Sequence, residues 1–247
     1  LYYSKYKNSF YFGSEIKSLF AANIPNEIDE EFTEVYLSLS YIPGKNTYYK
    51  HIYKLLPGHF LLVNEGNISE KKYWDLPKID ESNMIKDKKL INEEFINLLE
   101  DSVKIRMRCD VPFGAFLSGG LDSSSIVSMM TKNSQHPVET FTIGFNDKKY
   151  DESNLANLIA KKYSTNHNLG FVNPTSLDFF IDIIYKYFDE PFGDNSAIPT
   201  FQVSEYASKK VKMVLTGDGG DEVMSGYPTY LGIKYYDIYS KFPRFIK

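Results

Sequence analysis

One stretch limits what this chain can fold into more than any other. Residues 113–125 read Phe-Gly-Ala-Phe-Leu-Ser-Gly-Gly-Leu-Asp-Ser-Ser-Ser, and apolar residues follow at Ile126, Val127, Met129 and Met130. A short apolar run enters a turn of small residues and a helical pattern leaves it, so the spacing predicts strand, loop, helix. Proteins of the α/β class hold phosphates at such places. The glycines let backbone approach a ligand, the serines add hydroxyl donors, and the free N–H groups of a helix start face an arriving anion. Asp122 is an acceptor among these donors, which suggests a metal ion between it and a polyphosphate. The GxxxxGK[ST] pattern and its lysine are missing, so this is no Walker A loop and γ-phosphoryl transfer does not follow. Taken alone, the residues leave a plain solvated Ser/Gly/Asp turn open.

A second constellation, Thr216-Gly217-Asp218-Gly219-Gly220-Asp221-Glu222, follows the apolar run Val211-Lys212-Met213-Val214-Leu215. Two acids three residues apart in a glycine loop can face one cation, and the preceding strand would deliver them to the same sheet edge as Asp122. A plain turn remains open here too, and nothing matches the spacing of a helix–loop–helix calcium site. A third loop, Asp189-Glu190-Pro191-Phe192-Gly193-Asp194-Asn195-Ser196-Ala197-Ile198-Pro199, lies between two helical patterns. It reads either as a presenter of polar groups to a small substrate or as a helix stop followed by a helix start.

The surrounding texture divides the chain. Residues 1–76 are rich in Tyr and Phe, with alternating runs at Ser9–Phe12 and His59–Val63 broken by Pro57-Gly58 and Asn64–Asn67, which predicts antiparallel strands and hairpins. Phe32, Val35, Tyr36 and Leu39 predict a helix over 30–39. Charged residues dominate from Asp75 to Lys89, which places a domain boundary there and assigns 77–247 to a second domain. In that domain the patterns predict helices over 89–107, 153–163, 177–188 and 200–210, and strands over 138–145, 167–172 and 211–216, besides the opening strand and helix. Strands alternating with helices imply a parallel sheet covered on both faces, with ligands at the carboxyl ends of its strands.

Composition excludes several classes. A formal charge of −4 without a Lys/Arg cluster argues against electrostatic nucleic-acid binding. One cysteine, Cys109, excludes an internal disulfide, and no apolar run is long enough to span a bilayer, so a cytoplasmic setting is expected. Cys109 lacks an adjacent base and reads as a neutral thiol. His167 reads as a structural histidine, and Asp151 and Glu152 as helix caps. The start at Leu1, without an initiator Met or a signal-peptide pattern, reads as an internal fragment.

Several motifs in order carry a resemblance. Ser118-Gly119-Gly120-Leu121-Asp122-Ser123-Ser124, then Thr140-Phe141-Thr142-Ile143-Gly144-Phe145, then Thr216–Glu222 with Gly226-Tyr227 behind it, resemble the synthetase domain of glutamine-hydrolysing asparagine synthetases of the B type. Ser14–Leu19, Tyr41-Ile42-Pro43-Gly44, Leu55–His59 and Tyr73-Trp74 resemble the closing part of that family's Ntn-type glutaminase domain. The resemblance implies an α/β fold, a parallel-sheet ATP-pyrophosphatase domain of the adenine nucleotide α-hydrolase kind, preceded over 1–76 by the C-terminal part of a type 2 glutamine amidotransferase domain. It also implies that the cysteine nucleophile and glutamine-binding residues lie upstream of Leu1 and a catalytic lysine lies downstream of Lys247.

The chemistry so implied is attack of an aspartate carboxylate on the α-phosphate of ATP, then displacement of AMP by glutamine-derived ammonia. By that resemblance Ser118, Gly119, Gly120, Ser123 and Ser124 hold pyrophosphate, Asp122 and Asp221 hold Mg²⁺, and Leu117, Ile143, Thr216 and Gly217 surround the adenosine. Asp218, which stands where some members carry glutamate, is the catalytic carboxylate. A homodimer is implied for the intact protein. Relatives that amidate or cyclise other carboxylates by adenylation, and a nucleotide-binding module without catalysis, remain the alternatives.

Overall fold

The computed structural model describes residues 1–78, 80, 82, 84–149, 151–171, 177–194 and 196–243. Val172, Asn195 and Lys247, named above, lie outside the described residues. The chain forms two compact units, Leu1–Met84 with Pro174–Ile198, and Ile85–Asn173 with Pro199–Lys247.

In the first unit, β1 (Tyr2–Tyr6) and β2 (Ser9–Gly13) form an antiparallel hairpin with Tyr3 opposite Phe12. After α1 (Ile16–Ala21), a single 3₁₀ turn at Glu30–Phe32 leads into α2 (Thr33–Leu39), so the expected helix over 30–39 is split where its winding changes. The short strand β3 (Tyr53–Lys54) pairs with the free side of β1, giving the order β2-β1-β3. A separate hairpin joins β4 (His59–Asn64) to β5 (Asn67–Lys72) through Glu65 and Gly66, both at positive φ (48° and 80°), the geometry of a tight two-residue turn. Ile16, Leu19, Ile24 and Ile52 are the buried centre, ringed by Tyr2, Tyr6, Tyr11, Phe20 and Tyr49. Tyrosine suits that ring because its body packs and its hydroxyl stays wet, which accounts for the aromatic texture of this stretch.

The second unit opens with α3 (Lys88–Arg106), whose N-terminus is capped by Asp87 accepting from Lys89 N–H at 2.8 Å. Then follow β6 (Phe113–Phe116), α4 (Leu121–Asn133), β7 (Glu139–Gly144), α5 (Ser153–Tyr163) and β8 (Asn166–Phe171). The chain next makes α6 (Leu177–Tyr187), which falls in the first unit, then α7 (Ala197–Ser208), β9 (Met213–Leu215), α8 (Gly220–Met224) and α9 (Pro228–Ser240). The sheet is parallel with the order β8-β7-β6-β9.

Side-chain alternation assigns the two faces of this sheet. Ala115 packs with Val103 of α3, Val127 and Met130 of α4, and Ala156 and Ala160 of α5. One residue on, Phe116 turns the other way, and with Phe141 and Val214 it meets Val203, Tyr206 and Ala207 of α7. Both faces are therefore covered, as strand–helix alternation requires. Helix α7 starts at Ala197, ahead of the expected residue 200, beside a bond from Ser196 N–H to Asp194 Oδ1 at 2.8 Å.

Met130 is fully buried in the first of these layers, whereas Leu158 on α5 is 62% exposed. Met130→Ala is expected to lower the unfolding free energy by about 2–5 kcal/mol, and Leu158→Ala to change it by no more than about 0.5 kcal/mol. Urea denaturation followed by circular dichroism would check both; equal effects would contradict this layering.

Candidate nucleotide site

Strands β6 and β9 are parallel neighbours, with Ala115 in register with Leu215, so their carboxyl ends open on one edge. From β6 the chain turns through 117–120 into α4, and from β9 through 216–219 into α8. The first turn is tied by its own serines: Ser118 Oγ and Ser123 Oγ lie 2.9 Å apart, Gly120 N–H donates to Ser118 Oγ at 3.2 Å, and Ser123 Oγ–H donates to Gly120 O at 3.3 Å. The first intrahelical bond of α4 is Ser124 N–H to Gly120 O, 3.1 Å. The amides of Leu121, Asp122 and Ser123 therefore have no acceptor within the helix. Together with the helix dipole they favour negative charge in front of α4. Ser124 Oγ is buried without a protein partner.

The acidic loop lies directly against this helix start. A Cβ on Gly220 would stand 2.5 Å from Cγ and Oδ2 of Asp122, and one on Gly217 would stand 2.8 Å from the Ser123 amide nitrogen. Only glycine permits that approach. Asp122 thus rests its carboxylate on the backbone at Gly220, next to Asp221, and the carboxylate of Asp221 rests on Gly226. Asp218 is exposed at the same edge, and Thr216 Oγ1–H donates to its Oδ2 at 2.8 Å. The structure accordingly brings Ser118, Gly119, Gly120, Asp122, Ser123 and Ser124 together with Thr216, Gly217, Asp218 and Asp221. Among the described residues no group of three or more His, Cys, Asp or Glu side chains forms a metal cluster.

Beside the loops is a cavity of about 200 Å³, lined among others by Phe116, Leu117, Thr142, Ile143, Pro199 and Val203. Leu117 is held by both backbone groups: its N–H donates to Phe141 O at 2.9 Å, and its carbonyl accepts from Thr142 Oγ1. Its side chain sits in the buried layer under α4, so its backbone is what the cavity can use.

Other residues singled out in the sequence have local partners. Asp151 caps α5 and ties it to the end of β7, accepting from Ser153 N–H and Phe145 N–H at 3.2 Å each and from Ser153 Oγ–H at 2.9 Å. The Ser153 hydroxyl is the main reason its carboxyl is held below the usual range. Glu152 makes no side-chain cap. Burial pushes the His167 imidazole down, and its Nδ1 lies 3.1 Å from Thr140 Oγ1, a structural placement. The Cys109 thiol donates to Val111 O at 3.2 Å.

Two residues of the third loop have partners that sequence reasoning missed. Asp189 Oδ2 accepts from Ile16 N–H at 2.5 Å, and Glu190 Oε1 accepts from Tyr48 N–H at 2.7 Å, both within the first unit. No local pattern announces a bond across 142 or 173 residues; the adjacent acids before Pro191 were the only signal.

A glutamine amidotransferase domain model matches residues 1–74 and an asparagine synthase model matches residues 94–239. A putative asparagine synthetase [glutamine-hydrolyzing] 2 of Methanocaldococcus jannaschii is 40% identical across 100% of this chain and 48% of its own length. The asparagine synthetase [glutamine-hydrolyzing] 1 of Bacillus subtilis is 34% identical over 93% of this chain and 36% of its own. The chain thus spans about half the length, or less, of these relatives. Among solved structures, an NMN synthetase from Francisella tularensis covers 53% of this chain and 54% of its own at 18% identity, with a TM-score of 0.35.

Past the acidic loop, Tyr227 donates its hydroxyl to Glu222 Oε1 at 2.8 Å, and that carboxylate pushes the phenol up to about 12. Glu222→Gln removes the charge that opposes phenolate formation, so Tyr227 is expected to titrate at lower pH in the variant. Ring-carbon NMR of labelled tyrosine would follow it; an unchanged titration would rule out this pairing.

Proposed function

The chain belongs to the asparagine synthase family, and from that premise we propose that it serves an ATP-dependent ligase converting aspartate to asparagine with glutamine-derived ammonia. The observation that supports this reading best is the close approach of the acidic glycine loop to the first turn of α4, with Asp122 resting on Gly220. An edge that offers unbonded amides beside two carboxylates able to share a cation suits a polyphosphate whose leaving part is pyrophosphate. The cavity at Leu117 and Ile143 suits a flat base held between apolar groups and backbone.

That geometry supports a role for each residue. The amides of Leu121, Asp122 and Ser123 donate to the leaving pyrophosphate, while the bonded hydroxyls of Ser118 and Ser123 hold the loop in shape. Gly119 and Gly120 let the phosphates near the backbone, and the buried Ser124 hydroxyl is a further donor. The residues fit magnesium, which takes one or two carboxylates and leaves its other positions to water and phosphate; Asp122 and Asp221 are the two. Magnesium, when bound, supplies positive charge for the departing pyrophosphate. The aspartate carboxylate attacks the α-phosphorus, the bond to pyrophosphate breaks, and a β-aspartyl-adenylate forms. Ammonia then attacks the acyl carbon, AMP leaves, and a proton is released. Asp218, steadied by Thr216, accepts that proton in this reading. Thr216 and Gly217, at the end of β9, take the adenosine side by the family resemblance alone.

The test uses the full-length protein with ATP, Mg²⁺, ammonia and a panel of carboxylic acids, with the amide product identified. Asparagine is the expected product, and absence of AMP with every acid would overturn the reading. Asp122→Asn and Asp221→Asn are each expected to slow aspartate-dependent exchange of pyrophosphate into ATP by about a hundredfold or more, with glutamine turnover still measurable. Undiminished exchange in both variants would remove the assigned metal ligands.

A further inference from the structure

Two adjacent acids open α5, and the structure gives them different work. Asp151 accepts from the Ser153 and Phe145 amides and from the Ser153 hydroxyl, which fills its carboxylate and caps the helix. Glu152 makes no cap, and among the described residues its carboxylate has neither a hydrogen-bond nor an ion-pair partner. It lines the cavity of about 200 Å³ together with Leu117, Ile143 and Phe145, and among the described residues it is the only ionisable side chain on that wall. An ionised carboxylate accepts hydrogen bonds and donates none. Whatever fills the cavity must therefore bring donors to Glu152.

The place of Glu152 along the cavity narrows the choice of donor. The first turn of α5 rests on the phosphate loop: a Cβ on Gly119, where φ is +88°, would stand 2.6 Å from Ala156 N and 2.7 Å from Leu155 C. Ala156 N–H donates to Glu152 O at 3.1 Å, so Glu152 lies one helical turn from that loop. A nucleotide with its phosphates before α4 and its base against Leu117 and Ile143 carries its sugar between the two. A carboxylate there repels phosphate oxygens, and it suits vicinal hydroxyls, which are two donors on adjacent carbons; α/β dinucleotide sites recognise ribose by the same chemistry. The exocyclic amine of the base is the other donor of a nucleoside, but it lies at the end of the base away from the phosphates. We infer that Glu152 is a specificity-determining residue that accepts from the 2′- and 3′-hydroxyls of the nucleotide, so that the site selects a ribonucleotide. This deepens the reading above and rests on its nucleotide.

The test is titration calorimetry of the full-length protein with Mg²⁺ and ATP, 2′,3′-dideoxy-ATP or ITP, without a carboxylic acid. The unaltered protein is expected to bind ATP about ten- to hundredfold more tightly than the dideoxy nucleotide, the range for hydrogen bonds to a charged acceptor. Glu152→Ala is expected to lose most of that preference while binding the dideoxy nucleotide within about twofold of the unaltered protein, because a site built around a hydroxyl discriminates through that contact. Glu152→Gln keeps an acceptor without the charge and is expected to fall between them. Both substitutions are at an exposed position and should leave thermal unfolding unchanged. A preference that survives in Glu152→Ala overturns the inference. So does an equal weakening of ATP and dideoxy-ATP, and the sparing of ITP in that case would assign the carboxylate to the base amine. If the unaltered protein binds no ATP, the site and this inference fall together. If it binds with the expected sugar preference but forms no AMP with any acid, the reading of the reaction falls and the sugar contact is upheld.

Discussion

The pairing of β6 with β9 is the constraint on which the rest of the second unit depends. These strands lie far apart in sequence, yet their register of Ala115 with Leu215 puts two glycine-bearing loops on one edge. Had β9 joined the sheet on the outer side of β8, two strands would stand between the acidic loop and Asp122. Once the strands are neighbours, sterics decide the remainder. Gly217 and Gly220 let backbone pack on the start of α4 where any Cβ would collide, so composition at two positions sets the distance between acid and helix terminus. The serine bonds then hold the other loop rigid, and preorganised donors lose nothing to reorganisation when charge develops before them.

Burial alternation explains why this edge stays open while the sheet body is closed. Ala115 and Phe116 face opposite helical layers, and beyond them the chain has left the ladder. At the edge the backbone bonds that remain, those of Leu117 with Phe141 and Thr142, extend the order of the strands by one residue. The cavity begins there. The apolar layers supply the stability, and the polar edge lies outside them.

Much of this was legible in the sequence because period and punctuation are local. The strand–turn–helix at 113–133, the strand over β7 and the helix over 153–163 announce themselves through apolar spacing and glycine. The glycine-rich character of both loops was readable, and their shared edge followed from parallel-sheet logic. What was hidden is long-range or geometric. Nothing in the spacing of Ser118 and Ser123 says that their hydroxyls bond each other, or that Asp122 lies over Gly220. Helix α8 is five residues long, too short for a periodic signal. Asp189 and Glu190 offered two rival readings, and both overlooked the partners at Ile16 and Tyr48, because tertiary hydrogen bonds leave no period.

That pair of acids also shows why a polar anchor differs from an apolar one. The stacked Phe188 and Phe192 could pack in many nearly equivalent ways, since dispersion has little direction. A carboxylate that accepts from one backbone amide and faces one lysine has few alternatives, and leaving it unpaired while buried costs several kcal/mol, about 3–5 by analogy with broken buried pairs. Two adjacent acids bonded to amides on separate segments fix rotation as well as position of the loop that carries them. The position of the loop is then set by hydrogen-bond geometry, while its own shape is held by aromatic surface.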